Sequence, residues 1–517
     1  MKRTVALLAV IALVVVALGA SVAVVWQSSD TPAGADGSSV TYDPTSIPED
    51  SDPVGAPEGL ERFYEQRIDW SECGDNDCGS LEVPLDYSRP DGDTISLSVL
   101  RVPAGKEAVA SMVVNPGGPG APGTSYASSA SLVFGKSLRQ HLDIVGFDPR
   151  GTGTSAAIDC LSDADLNDYL ATVAVPTTPA QVEEFTEAAQ EFGRGCADLS
   201  GNLVNHVSTI EAARDMDVLR AALGDSRLTY FGASYGTKLG ATYAELFPER
   251  VGRLVLDGGV DVSIDSETLS LEQARGFETA LRAYVQNCID TAENCFLGDS
   301  VEEGLTTISD LLASIDDEPL EAGDRLLHGS EAFYGVVTPL YVSDYWFLLS
   351  QALKGALDGD GSALLELADM YASRSGTKFS DNSMEAIYAI NCLDDPWSIP
   401  ASQVPSKYDE FEEASPTFGK VFAWGLIGCS GSEGRTTEKP ITIDGAGADP
   451  ILVVGTTRDP ATPYEWSVSL AEQLDSGVLL SRDGDGHTGY MAGNACVDET
   501  VESYLLEGEV PEQGRSC

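Results

Sequence analysis

Residues 228–239 read Leu-Thr-Tyr-Phe-Gly-Ala-Ser-Tyr-Gly-Thr-Lys-Leu, and they constrain the fold more than any other stretch of the chain. An apolar, β-branched and aromatic run (228–231) predicts a strand, and residues 237–247 have the composition of a helix. Between them lies Gly232-Ala233-Ser234-Tyr235-Gly236. A strand that passes into a helix through Gly-x-Ser-x-Gly is a nucleophile elbow: the turn is too tight for a Cβ on either side, and it holds the Ser234 hydroxyl at the end of a sheet.

The flanking pattern supplies the sheet. Residues 79–85 and 94–102 predict a hairpin across the Pro90-Asp91-Gly92 turn, and 110–114, 142–147 and 253–257 are short buried-type strands. A helix is predicted over 211–223, where Ala212, Met216, Leu219 and Leu223 share one face. Alternating strands and helices imply a mostly parallel sheet with helices on both faces. From 262 to 448 the strand pattern gives way to helices at 270–288, 301–314, 330–357, 362–373 and 382–391; strands return at 450–455 and 478–481, flanking a helix at 466–474. The expected fold class is α/β, an α/β-hydrolase fold with a large inserted helical lid. Its core is divided between 60–261 and 449–517, and its lid, 262–448, covers the carboxyl edge where ligands of open α/β sheets bind.

Lys2 and Arg3 precede an uncharged run from Val5 to Trp26, so residues 1–27 are either a cleaved signal peptide or a membrane anchor through 5–26. Both place the rest of the protein outside the cytoplasm, secreted or at the cell surface. Residues 28–59, rich in Ser, Asp, Gly and Pro, predict a flexible linker. The net charge of −52 excludes a nucleic-acid partner, because the phosphate backbone would be repelled. Ten cysteines in an exported chain imply disulfides. Proximity suggests 73–78, 160–196, 288–295, 392–429 and 496–517, among several hundred possible connectivities.

Two Gly-rich loops follow strands, Asn115 to Gly120 and Asp148 to Ser155. Neither has the spacing of a phosphate-binding motif. The first fits a loop whose backbone N–H groups approach a reacting carbonyl, and Arg150 in the second reads as a guanidinium that ties loops together. A serine hydroxyl needs a base, and the chain has four histidines. The order nucleophile, acid, base sets aside His141 and His206; His328 falls in the helical insertion; His487, in Asp485-Gly486-His487-Thr488-Gly489, follows the last strand. Asp459, just past the 450–455 strand and 28 positions before His487, is the acid expected to orient it.

The ordered set NPGGPGAPG, FDPRGTGTS, YFGASYGTKLGATYAELFPERVGRLVLDGGVD, AINCLDD, GTTRDPATP and GHTGY resembles the secreted tripeptidyl aminopeptidases of actinobacteria, themselves similar to proline iminopeptidases. The match runs from about residue 60 to the C-terminus. The resemblance implies a triad of Ser234, Asp459 and His487 and an oxyanion hole at the N–H groups of Gly118 and Tyr235. It also implies release of N-terminal di- or tripeptides without metal or organic cofactor. Pro116 stands where the iminopeptidases have His, and the family also contains esterases, so a carboxylesterase is the alternative. Peptides with a free N-terminus are the expected substrates. Asp394, in the AINCLDD segment, is expected to hold the ammonium group, against the plainer reading of a solvated or capping carboxylate.

Overall fold

The computed structural model describes residues 40–46, 55–292 and 294–517. The export segment 1–27, and residues 28–39 and 47–54 of the expected linker, lie outside them. No helix among the described residues is long and apolar enough to cross a membrane. Residues 40–46, expected as tether, rest on the core: Thr45 N donates to Leu506 O at 2.9 Å, and Arg253 Nη1 donates to Thr45 O at 3.0 Å.

Ten strands form one sheet. They are β1 (Ser71–Cys73), β2 (Asn76–Pro84), β3 (Thr94–Val102), β4 (Ala110–Asn115), β5 (Leu142–Phe147), β6 (Leu228–Ala233), β7 (Val251–Asp257), β8 (Ile451–Arg458), β9 (Gly477–Asp485) and β10 (Arg515–Ser516). The spatial order is β1-β2-β3-β5-β4-β6-β7-β8-β9-β10, antiparallel through β3/β5 and parallel from β5/β4 onward. This is the α/β-hydrolase sheet. Every residue of β6 is buried, as a parallel strand covered on both faces requires. Helices Thr209–Leu223 and Tyr235–Leu246 pack on one face around Met216, Leu219 and Leu239. Helix Ala495–Glu507 covers the other with Val497, Val501 and Leu505.

The parallel registers bring the strand ends together. Asn115 pairs with Gly232, Ala233 with Asp257, Asp257 with Val454, and Arg458 with Asp485. The loops leaving β4, β6, β7, β8 and β9 therefore emerge side by side at the carboxyl edge, where open α/β sheets bind ligands.

Between β7 and β8 lies the helical block, with its own core of Phe277, Leu281, Leu311, Trp346 and Leu349. The stretch 330–357 is not one helix. Gly329–Val337 ends in a 3-10 segment, Thr338–Tyr341, and helix resumes at Trp346–Leu357. Pro339 lies at that junction, where it lacks the N–H an α-helix needs. Asn382 pins this block to the loop after β5: its Nδ2 donates to Gly151 O and Ile158 O, each at 2.9 Å, and its Oδ1 accepts from Gly153 N at 2.8 Å.

Arg150 in that loop is fully buried. It holds Asp215 through Nε (2.7 Å) and Nη2 (2.8 Å) and donates to Leu85 O, His206 O and Pro84 O. A buried guanidinium needs such full pairing. It ties four segments together behind the elbow. All five disulfides have the nearest-neighbour pairing, 73–78, 160–196, 288–295, 392–429 and 496–517. Five disulfides fit a protein that matures in an oxidising compartment.

Candidate active site

Ser234 joins β6 to helix Tyr235–Leu246 at φ 57°, ψ −126°, a conformation that L-residues rarely adopt. The neighbours explain why it holds. Ser234 N donates to Asp257 O at 2.9 Å, and Thr237 Oγ1 donates to Ser234 O at 2.7 Å. A Cβ at Gly232 would stand 2.4 Å from Gly236 O, and one at Gly236 would stand 2.8 Å from Asn115 O. Both glycines of the pentapeptide are thus required by close approach.

His487 leaves β9 in a loop that crosses over this turn. Its Nδ1 lies 2.9 Å from both carboxylate oxygens of Asp459, and Thr462 Oγ1 is 3.3 Å from the same nitrogen. Asp459 is buried and also accepts from Ala461 N (3.0 Å), Thr462 N (2.9 Å) and Thr488 N (3.0 Å). With Nδ1–H donated to a carboxylate, Nε2 carries the lone pair. Nε2 is buried and has no hydrogen-bond partner among the described residues; in substrate-free enzymes this contact commonly tightens only on binding. Burial pulls the imidazole pKa down, but the charge and hydrogen bond of Asp459, with the Asp257 charge behind, leave it above the ordinary histidine value. Tyr341 of the helical block packs its ring edge-on to His487 at 5.4 Å and accepts His487 N at 2.7 Å.

The loop after β4 lies against the elbow. A Cβ on Gly117 (φ 100°) would stand 2.6 Å from Ala233 O and 2.8 Å from Ser234 Cβ. Neither Gly118 N nor Tyr235 N donates to a protein acceptor among the described residues. Tyr235 is the first residue of its helix, so its N–H has no partner within the helix and carries the positive end of the dipole.

Ser234, Gly118 and His487 line one cavity of about 160 Å³. The sheet side contributes Phe231 and Asp257, the helical block Tyr341, Tyr371, Met384 and Asp381. Among the described residues two carboxylates, Asp257 and Asp381, face this space, and no Lys or Arg does. Asp394 lies outside the lining: its Oδ2 is 2.7 Å from Lys238 Nζ, its Oδ1 accepts Thr209 N at 2.9 Å, and Thr209 Oγ1 donates to it as well. Those contacts occupy the carboxylate expected to receive a substrate ammonium.

Residues 415–517, which span β8, β9 and so both Asp459 and His487, match the family model described as TAP-like protein. The Mycobacterium tuberculosis protein named Serine protease Hip1 is 37% identical over 475 residues, covering 87% of this chain and 91% of that protein. The chain belongs to the tripeptidyl aminopeptidase-like family of α/β-hydrolases. Within that family, Carboxylesterase B of M. tuberculosis is 33% identical over 480 residues (90% of this chain, 91% of that protein). Tripeptidyl aminopeptidase of Streptomyces coelicolor is 30% identical over 487 residues (90% and 89%). The protein is a serine hydrolase of this fold.

Neither Asp257 nor Asp381 lies in a motif that marks it as functional in the sequence. Asp257 ends an ordinary buried strand, and Asp381 lines the cavity next to Asn382, which anchors the adjoining turn to the core.

Proposed function

We propose that the protein is an exported aminopeptidase that releases short peptides from the N-terminus of its substrates, with Ser234, His487 and Asp459 as its triad. In this reading 60–261 and 449–517 form the hydrolase core, 262–448 is a lid domain, and residues 1–27 direct export or anchor the chain. Ser234 Oγ attacks the scissile carbonyl as His487 Nε2 takes its proton. Asp459 holds the imidazole and stabilises the cation that forms. The N–H groups of Gly118 and Tyr235 take the oxyanion, each worth roughly 3 kcal/mol in the transition state. His487 then protonates the leaving amine, and water hydrolyses the acyl-enzyme by the same path in reverse.

The observation that carries the peptidase reading is the charge of the cavity, which has two carboxylates and, besides His487 itself, no basic side chain among the described residues. It suits a protonated amine and repels a free carboxylate. Asp257 is engaged by two backbone N–H groups, whereas Asp381 accepts from Ser383 N through Oδ1 at 3.0 Å, and no donor among the described residues reaches its Oδ2. Asp381 is therefore assigned the substrate ammonium. The family members named as peptidases support the peptidase reading; the relative named Carboxylesterase B supports the second reading, an ester hydrolase with the same triad.

The test is a good peptide substrate with its N-terminus free or acetylated. A charge-assisted contact is worth about 1.5 to 3 kcal/mol, so acetylation should lower kcat/KM by roughly ten- to a hundredfold. Asp381→Asn should lower it for the free peptide and leave the acetylated one unchanged. Equal rates for the two peptides in the wild type would reject the aminopeptidase reading and favour an endopeptidase or the esterase.

A further inference from the structure

Asp257 makes contacts that the triad alone does not explain. Its main-chain O accepts Ser234 N at 2.9 Å, while its carboxylate accepts Gly489 N at 2.7 Å and Tyr490 N at 2.9 Å. A single buried residue at the end of β7 thus grips the nucleophile's turn with its backbone and the histidine's loop with its side chain.

That loop needs such a grip. Thr488 (φ 71°) and Met491 (φ 58°) are left-handed without being glycine, and Gly486 and Gly493 also have positive φ. A backbone of this shape cannot form regular ladder bonds, so its N–H groups must find acceptors elsewhere. The acceptors are carboxylates: Asp459 for Thr488, Asp257 for Gly489 and Tyr490, and Asp498 for Met491. Asp459 hydrogen-bonds the imidazole itself; the Asp257 carboxylate hydrogen-bonds the loop that carries it and acts on the ring by charge alone.

We propose that Asp257 is a positioning residue whose ionised carboxylate keeps the His487 loop in register with Ser234, so that protonating it releases the loop and switches the enzyme off. An ionised carboxylate accepts both N–H groups at once. The acid form turns one oxygen into an O–H that faces a donor, and a contact is lost. Burial raises the Asp257 pKa to about 6, against the two backbone hydrogen bonds that lower it. The groups facing it are His487 and Tyr490 of the loop, Asp459 beyond β8, Arg482 of β9 and Tyr126 of helix Gly123–Ser128. Of these, His487 when charged and Arg482 favour the ionised form, and Asp459 opposes it.

The inference rests on the proposed triad, so its test reads the nucleophile directly. The second-order rate of labelling by an uncharged fluorophosphonate is measured from about pH 8 downward, with the site mapped by peptide mass spectrometry. If both His487 and Asp257 must be unprotonated, the logarithm of the rate should fall with a slope that steepens from one towards two below about pH 6. In Asp257→Asn, which can accept only one of the two N–H groups, the slope should stay at one. Its plateau should fall by about tenfold or more, with the concentration dependence of labelling little changed. A wild-type slope of one throughout would overturn the proposal even if the variant fails to fold. So would a steep limb that does not recover on return to about pH 8, since that reports unfolding. Failure of the wild type to label at Ser234 would sink the triad, and this inference with it.

Discussion

Lys238 Nζ lies 2.7 Å from Asp394 Oδ2, joining the helix that follows the elbow to helix Ser383–Asp394 of the lid. The pair is mostly buried, and Thr209 completes the shell around the carboxylate. Removing one partner of such a contact leaves a poorly solvated charge, which is more costly than losing an exposed ion pair. Asp394→Asn is expected to lower the melting temperature and to leave the kcat/KM ratio of free to acetylated peptides unchanged. A collapse of that ratio would return the ammonium to Asp394.

Because Asp459 holds the His487 pKa above its ordinary value, the rate is expected to be retained above the raised value and to fall as pH drops through it. Asp459→Asn should move the acid limb of kcat/KM to lower pH, since the attraction that favours the imidazolium is gone. The plateau should also drop by about 10⁴-fold as the histidine loses its tautomer. A pH–rate profile of both proteins checks the two effects together, and an unmoved limb would argue against the pairing.

Disulfide 392–429 links the end of helix Ser383–Asp394 to the segment Gly428–Gly431, while Asn382 fixes its start. Reduction is expected to loosen the lid before the sheet. Loss of a native disulfide commonly costs about 2 to 5 kcal/mol. Calorimetry with and without reductant should show a lower transition, and hydrogen exchange should place the first loss of protection within 262–448.

Much of the site is readable because its parts are local. Strand, Gly-x-Ser-x-Gly and helix stand in one dozen residues, and the small number of histidines lets chain order select His487. What was not readable depends on contacts across long separations. Asp394 looks like an available carboxylate until the fold brings Lys238 to it. Asp381 looks like any acidic turn until Asn382 bonds to Gly151 and Ile158. Some signals are wholly local: helix Pro179–Ser200 has a full Thr178–Gln181 capping box and proline at its start. Others mislead, as at Pro339, where a continuous apolar pattern hides a break in the helix.

Gly117 tests the oxyanion hole without replacing a residue of the proposed triad. Its left-handed φ of 100° is one reason for glycine, and the approach of Ala233 O, Ser234 Cβ and Tyr235 N is a second. An alanine there would have to push the loop away from the elbow and carry Gly118 N with it. Losing one oxyanion donor costs about 2.7 to 4 kcal/mol, so kcat should fall by roughly 10² to 10³ with KM little changed. Stability should also fall, by about 1 to 2 kcal/mol for the backbone alone, and that part needs its own control. Gly224 supplies it: its φ is 94°, and no atom lies within 4 Å of where a Cβ would be. Gly224→Ala should lose stability and keep its activity. If Gly117→Ala does no more than Gly224→Ala, the loop after β4 supplies no oxyanion donor, and the hole rests on Tyr235 alone.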